Sequence, residues 1–290
     1  MSFTYEEFTT RNLGFVDAAG QQKLRNATVF VCGTGGMGGA AILALARAGI
    51  GKLIIADIDT FEISNLNRQV FAFTDTVGRH KAEVTAEALH RINPELEVTV
   101  YRDDWPDHVV DSIHSAAVTL NGTDDLGAAL LLYRTARAKH KPVIDAYAAS
   151  LPSVYVTRPG AATPEERLGY PTIGTPWNAL TAEQRSAAFM REVEYVMVHS
   201  SSRHYIDLKL AGEMAAGRRK RMSFAPMVIS TGMLMAYEAL AIVLGQETAT
   251  NNRGWFFNPY KGKVERPLPK LVELMVLPLA RREIKKLTGA

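Results

Sequence analysis

Val31-Cys32-Gly33-Thr34-Gly35-Gly36-Met37-Gly38 joins an apolar, strand-like run at residues 27–32 to an Ala/Leu-rich helical pattern over Gly36–Ala48. Gly33, Gly35 and Gly38 carry the G-x-G-x-x-G spacing. The first glycine permits a tight turn, the second a close approach of backbone to phosphate, and the third close packing of helix on strand. With Gly36 they open a helix whose first N–H groups offer partial positive charge to an anion. Outward from this turn, strand-like runs at 53–56, 97–101, 116–120 and 142–146 alternate with helical patterns at 77–92 and 126–138. Such alternation demands crossover connections, hence a mainly parallel sheet with helices on both faces.

The expected class is therefore α/β: a Rossmann-like twisted sheet over residues 1–150. After residue 151 the rhythm changes. A strand at 153–157 precedes a loop-like stretch at 159–176, a helix at 181–199 and a polar stretch at 200–221 that ends in Arg218-Arg219-Lys220-Arg221. An apolar helix at 226–244 closes on Gly245, and 255–258 pairs with 263–265 as a hairpin, giving an antiparallel C-terminal extension before a basic tail at 270–287. One domain over 1–290 is expected, with a nucleotide half (1–150) and a crossover and substrate half (151–290). Residues 159–221 read as a segment that covers a site.

The net charge of +3 is too small to imply nucleic acid or membrane binding. No apolar run is counted as reaching the roughly 18 residues of a membrane helix. The acidic start Met1-Ser2-Phe3-Thr4-Tyr5-Glu6-Glu7 shows no signal peptide, so a cytoplasmic enzyme is expected. The single cysteine, Cys32, allows no internal disulfide and no Cys-x-x-Cys zinc site. Within its apolar run it reads as a buried, inert thiol.

The turn alone does not separate NAD from ATP. Asp57, at the end of the second strand, suits ribose hydroxyls in either case. The next residues depart from the dehydrogenase pattern: Asp57-Ile58-Asp59, then Asn65-Leu66-Asn67-Arg68-Gln69, then Lys81 in the first turn of a helix. A cation there opposes the helix dipole unless an anion lies in front of it. Arg68 and Lys81 offer fixed positive charge, and Asp124 a hard oxygen ligand for Mg²⁺. An NAD-dependent oxidoreductase leaves these residues without a role. A nucleotide-binding scaffold without catalysis is a third reading.

These elements, together with Val77-Gly78, Ile92-Asn93-Pro94 and Thr123-Asp124, resemble the MoeB/ThiF/HesA family of adenylyltransferases. The resemblance implies ATP-dependent adenylation of a carboxylate, with Asp57 on the ribose and Asn65, Arg68 and Lys81 on the triphosphate. It places Gln69 in the same pocket, with Asp59 and Asn67 nearby, and Mg²⁺ on Asp124. Arg11 resembles an arginine that such proteins insert into a partner's site, which implies a homodimer. No zinc is expected, and no cysteine lies within 151–225 to carry an acyl group. The acceptor is then an external or substrate-borne nucleophile. The carboxylate belongs to a small carrier protein, a peptide, a small acid or a tRNA-borne group, the last by analogy with cyclising dehydratases. The basic run 218–221 and His80 are expected to be solvated; His199 and His204 fall in the variable crossover, and no catalytic role is read into any of the three histidines.

Overall fold

The computed structural model describes residues 3–288 except residue 216. Five parallel strands form the centre: β1 (Thr28–Cys32), β2 (Lys52–Ala56), β3 (Glu97–Tyr101), β4 (Val118–Asn121) and β5 (Val143–Asp145). Antiparallel β6 (Ser153–Thr157), β7 (Trp255–Asn258) and β8 (Lys263–Glu265) extend one edge, in the order β3-β2-β1-β4-β5-β6-β7-β8. This is the expected Rossmann-like arrangement with its antiparallel extension.

The period-two pattern of β1 sorts its side chains to two cores. Val29 and Val31 join a layer with α3 (Gly36–Ala48), α4 (Lys81–His90) and α10 (Ala225–Leu244) through Ile42, Leu45, Leu89 and Met235. Phe30 and Cys32 face α5 (Trp105–Ser115), α6 (Leu126–Ala138) and α8 (Ala182–His199) through Ile113, Leu132 and Tyr195. Burying each such large apolar side chain contributes about 1.5–3 kcal/mol, so both faces are held by comparable layers. The N-terminal α1 (Tyr5–Thr9) and α2 (Ala18–Asn26) brace the far end of α3, where Tyr5 Oη donates to the Gly49 carbonyl at 2.6 Å.

Several expectations are corrected. Helix α4 begins at Lys81 and not near residue 77, because residues 57–80 fold back: the Phe61 N–H donates to Arg79 O, and the Lys81 N–H to Asp59 O. Helix α5 went unread, as did α7 (Pro164–Leu168), whose Thr163–Glu166 capping box fixes a short turn inside the expected loop. The polar stretch contains α9 (Leu208–Ala215), and the basic tail is α11 (Lys270–Thr288), helical through Pro278. The 20-residue α10 is long and apolar enough to cross a membrane by length and composition, contrary to the expectation that no run reaches that length. Its packing against the core accounts for that composition. Gly232 lies against Met37, Ala40 and Ala41 of α3, and buried Glu238 accepts from the Thr248 hydroxyl at 2.6 Å.

In-register pairing aligns Cys32 with Ala56 and with Asn121, so β1, β2 and β4 end together. The chain winds from β1 outward to β3, then crosses to β4 on the other side of β1. Their common edge is the switch point at which doubly wound sheets open a crevice.

Candidate active site

The glycine turn closes over this edge. Gly33 adopts φ +92°, and its N–H donates to the Ala56 carbonyl at 2.7 Å. A Cβ on Gly33 would stand 2.4 Å from the Gly122 carbonyl carbon, and one on Gly38 1.8 Å from the Gly33 carbonyl oxygen. Gly38 therefore packs helix on turn and does not line the cavity. Gly36 is pressed against Val228 of α10, whereas Gly35 faces Gln69 with ordinary clearance. Gly35 caps α3 without a side-chain partner, leaving the helix start to an anion.

Asp57 is tied into the turn: its Oδ2 accepts from the Thr34 N–H at 2.7 Å and the Thr34 hydroxyl at 2.9 Å. Its Oδ1 accepts from the Asp59 N–H. Asp59 in turn holds Lys81, Nζ to Oδ2 at 2.8 Å, and the Lys81 side chain is only 9% exposed. Asn65 is buried, closing a capping box with Glu62. Gln69 is buried beside it and borders the cavity; its Nε2 is the side-chain atom nearest Gly35, while its Oε1 is buried without a partner.

Arg68 donates to the Ser64 carbonyl at 2.8 Å and to Asn67 Oδ1 at 2.9 Å. Burial pulls its guanidinium below the usual range and neighbouring Arg221 pulls the same way, against Asp124 and Glu62. Asn67 does not line the cavity. It positions Arg68 and donates to the Ser223 carbonyl at 3.3 Å. Asp124 projects with 76% of its side chain exposed, 3.9 Å from Arg221 Nη1.

These groups border one cavity of about 630 Å³, lined by Gly33, Gly35, Gly36, Asp57, Asp59, Asn65, Arg68, Gln69, Lys81 and Asp124. Arg11 lies elsewhere. Its neighbour Asn12 donates to the Ala48 carbonyl, at the end of α3 opposite the turn, roughly 20 Å of helix away.

Sequence reasoning missed one charged residue of the cavity and the burial of two histidines and an aspartate outside it. Arg221, expected within a solvated run, lines the cavity next to Asp124. His80 is buried at the head of α4, not solvated. His199 is buried, and burial lowers its pKa to about 4; its Nδ1 accepts from the Leu268 N–H. Beneath the site, Asp145 receives Asn121, Tyr133 and Tyr155, and burial raises its pKa to about 6 against those bonds and that of the Ala146 N–H. Residues 147–150, α8, α9 and α11 also border the cavity. The apolar spacing of α8 was visible in the sequence; the face it turns to the site was not.

The ThiF family profile matches residues 9–272. The chain belongs to the ThiF family. The sulfur carrier protein ThiS adenylyltransferase of Escherichia coli is 35% identical over 130 residues, 44% of this chain and 52% of that protein. Protein HesA of Leptolyngbya boryana is 37% identical over 131 residues, 45% and 47% respectively. This ThiF-family chain thus spans about half the length of the curated relatives it matches. Among solved structures, E. coli MccB with ATP aligns with a TM-score of 0.61 and 22% identity over 86% of this chain and 65% of that one. The E. coli tRNA N6-threonylcarbamoyladenosine dehydratase TcdA aligns at 0.59 with 20% identity, covering 83% and 95%. At these identities the likeness is one of fold.

Proposed function

We propose that this ThiF-family chain adenylates a carboxylate with ATP. A carboxylate oxygen attacks the α-phosphorus, the bond from that phosphorus to the α–β bridging oxygen breaks, and pyrophosphate leaves. One observation carries the reading: the glycine turn, Arg68, Lys81, Gln69 and Asp124 all open onto a single cavity at the switch point between β1 and β4.

Reaction at phosphorus spreads charge over its oxygens, so catalysis there is chiefly positioning plus fixed positive charge. Lys81, immobilised by Asp59, and Arg68, immobilised by Asn67 and Ser64, supply that charge with little reorganisation. The helix start behind Gly35 and Gly36 takes phosphate oxygens and Asp57 the ribose, with Gln69 lining the same pocket. A Mg²⁺ ion fits the donors: one exposed carboxylate, Asp124, facing a site that supplies phosphate oxygens. When bound, Mg²⁺ neutralises charge on the leaving pyrophosphate. Among the described residues no group of three His, Cys, Asp or Glu side chains could hold a metal by itself.

Arg11 cannot reach the site of its own chain, so its contribution is made to a partner's, in a homodimer. Phe15, 92% exposed, and Leu13 lie beside it as apolar surface for that contact. Dependence on ATP fits a cytoplasmic setting.

Calorimetry with Mg·ATP against NADH tests the nucleotide assignment, and tighter NADH binding would overturn it. ATP–pyrophosphate exchange with an accepted acid tests the chemistry. Arg68→Ala and Asp124→Ala are each expected to lower exchange about 100-fold or more, the usual cost of a lost transition-state contact. Retained exchange in both would refute the assignment.

A further inference from the structure

The cavity changes character past Asp124. Towards β1 and β2 it is polar, lined by the turn and the cations. Beyond residues 147–150, on the β4 and β5 side, its walls are chiefly hydrocarbon, with Ser202 among them: Met190, Val193 and Met197 from one face of α8, Leu208 from α9, and Ile284 and Leu287 from α11. The α8 residues repeat at i, i+3 and i+7, the spacing that aligns side chains along a single helix face. α9 and α11 meet tightly here, since a Cβ on Gly212 would stand 2.4 Å from the Leu287 carbonyl oxygen. Two charged side chains border this half. Arg203 is paired with Glu283 at 3.0 Å, and Arg221 stands at the boundary, beside Asp124.

We infer that the acid activated here is a small free carboxylic acid with an apolar, aliphatic or aromatic body. Its carboxylate meets Arg221 at the boundary, and its hydrocarbon lies along Met190, Val193 and Met197. The inference rests on the adenylation reading and gives it a substrate class. A Gly-Gly tail suits this half poorly: it has no side chain to cover the wall, and its amides would lose water without gaining partners. Methionines re-pack around hydrocarbon of varied shape, so a linear or a ring-bearing acid meets the same surface.

The test uses the full chain with Mg·ATP and measures pyrophosphate exchange with butanoate through decanoate, 3-phenylpropanoate, malonate and peptides ending in Gly-Gly. The apparent kcat/KM is expected to rise about fourfold per added methylene until the apolar half is full, and to exceed that of malonate and the peptides. Val193→Glu is expected to cut exchange with the best acid about tenfold or more, because a buried carboxylate strips the wall of its apolar character. Calorimetric affinity for Mg·ATP should stay within about twofold in that variant. If Val193→Glu does not fold, Met197→Ala provides the check by moving the optimum to a longer acid. Absence of a chain-length trend, or exchange best supported by a Gly-Gly peptide or malonate, overturns the inference. So does Mg·ATP binding with no exchange on any apolar acid. Failure of the wild-type chain to bind Mg·ATP is a different result, and would bring down the adenylation reading itself.

Discussion

Lys81 shows what a single position can reveal. A cation on the first turn of a helix is electrostatically out of place, and that anomaly marked an anion site before any geometry was known. The structure adds Asp59, which fixes the ammonium group and which no spacing rule paired with it. Arg221 shows the limit. Inside a run of four basic residues nothing distinguishes the one whose side chain turns inward, because the turn is made by the chain leading into α10. Asn67 was legible as polar and close to Arg68, but its task, holding the guanidinium, depends on a backbone fold of residues 64–68 that periodicity does not encode. Cys32 behaves as its apolar neighbours predict: it is buried, and desolvation with nearby Asp57 and Asp125 pushes the thiol far above its ordinary range. Iodoacetamide at pH 8 is therefore expected to leave the native protein unmodified and to label it fully in urea. Mass spectrometry showing rapid native labelling would contradict this.

The strand–turn–helix unit is the most legible element, because three glycines have three separate steric causes. Gly33 combines a left-handed φ with a neighbour 2.4 Å from any Cβ. Gly33→Ala should cost about 3 kcal/mol or more, the sum of backbone strain and overpacking, seen as a lower urea midpoint with undetectable Mg·ATP binding. An unchanged midpoint would mean that the turn relaxes where the packing says it cannot. The helices are less evenly legible. Gly36–Ala48 and Leu126–Ala138 matched to the residue, since Gly49 and the Asp125 cap mark their limits. The start of α4 slipped by one turn because a long-range bond from Lys81 N–H to Asp59 O sets it. α9 lay inside a stretch read as polar and α11 inside one read as a basic tail, and of the α11 apolar residues only Ile284 and Leu287 border the cavity while Leu271, Leu274, Met275 and Leu279 stay exposed.

At the scale of the molecule, the mainly parallel sheet followed from alternation, while its strand order and the apolar half of the cavity did not. Its walls come from three helices far apart in sequence, brought together only by packing. The placement of Arg11 at the end of α3 opposite the turn bears on the proposed homodimer. Arg11→Ala and Asp124→Ala, each inactive alone, are expected to recover exchange when unfolded and refolded together, since one site of the mixed dimer has both residues. Recovery no greater than either parent would assign Arg11 to the surface. The two halves of the cavity also bear on time. The acyl adenylate proposed above is a mixed anhydride that water destroys, and the chain's one thiol, Cys32, borders the cavity almost wholly buried, with burial raising its pKa and making it a poor nucleophile. A hydrocarbon wall beside the newly formed bond keeps water from it. Under the adenylation and the apolar-acid site proposed above, the methionines and valine of α8 would set how long the activated product waits for its nucleophile, making the lining a clock as well as a sieve.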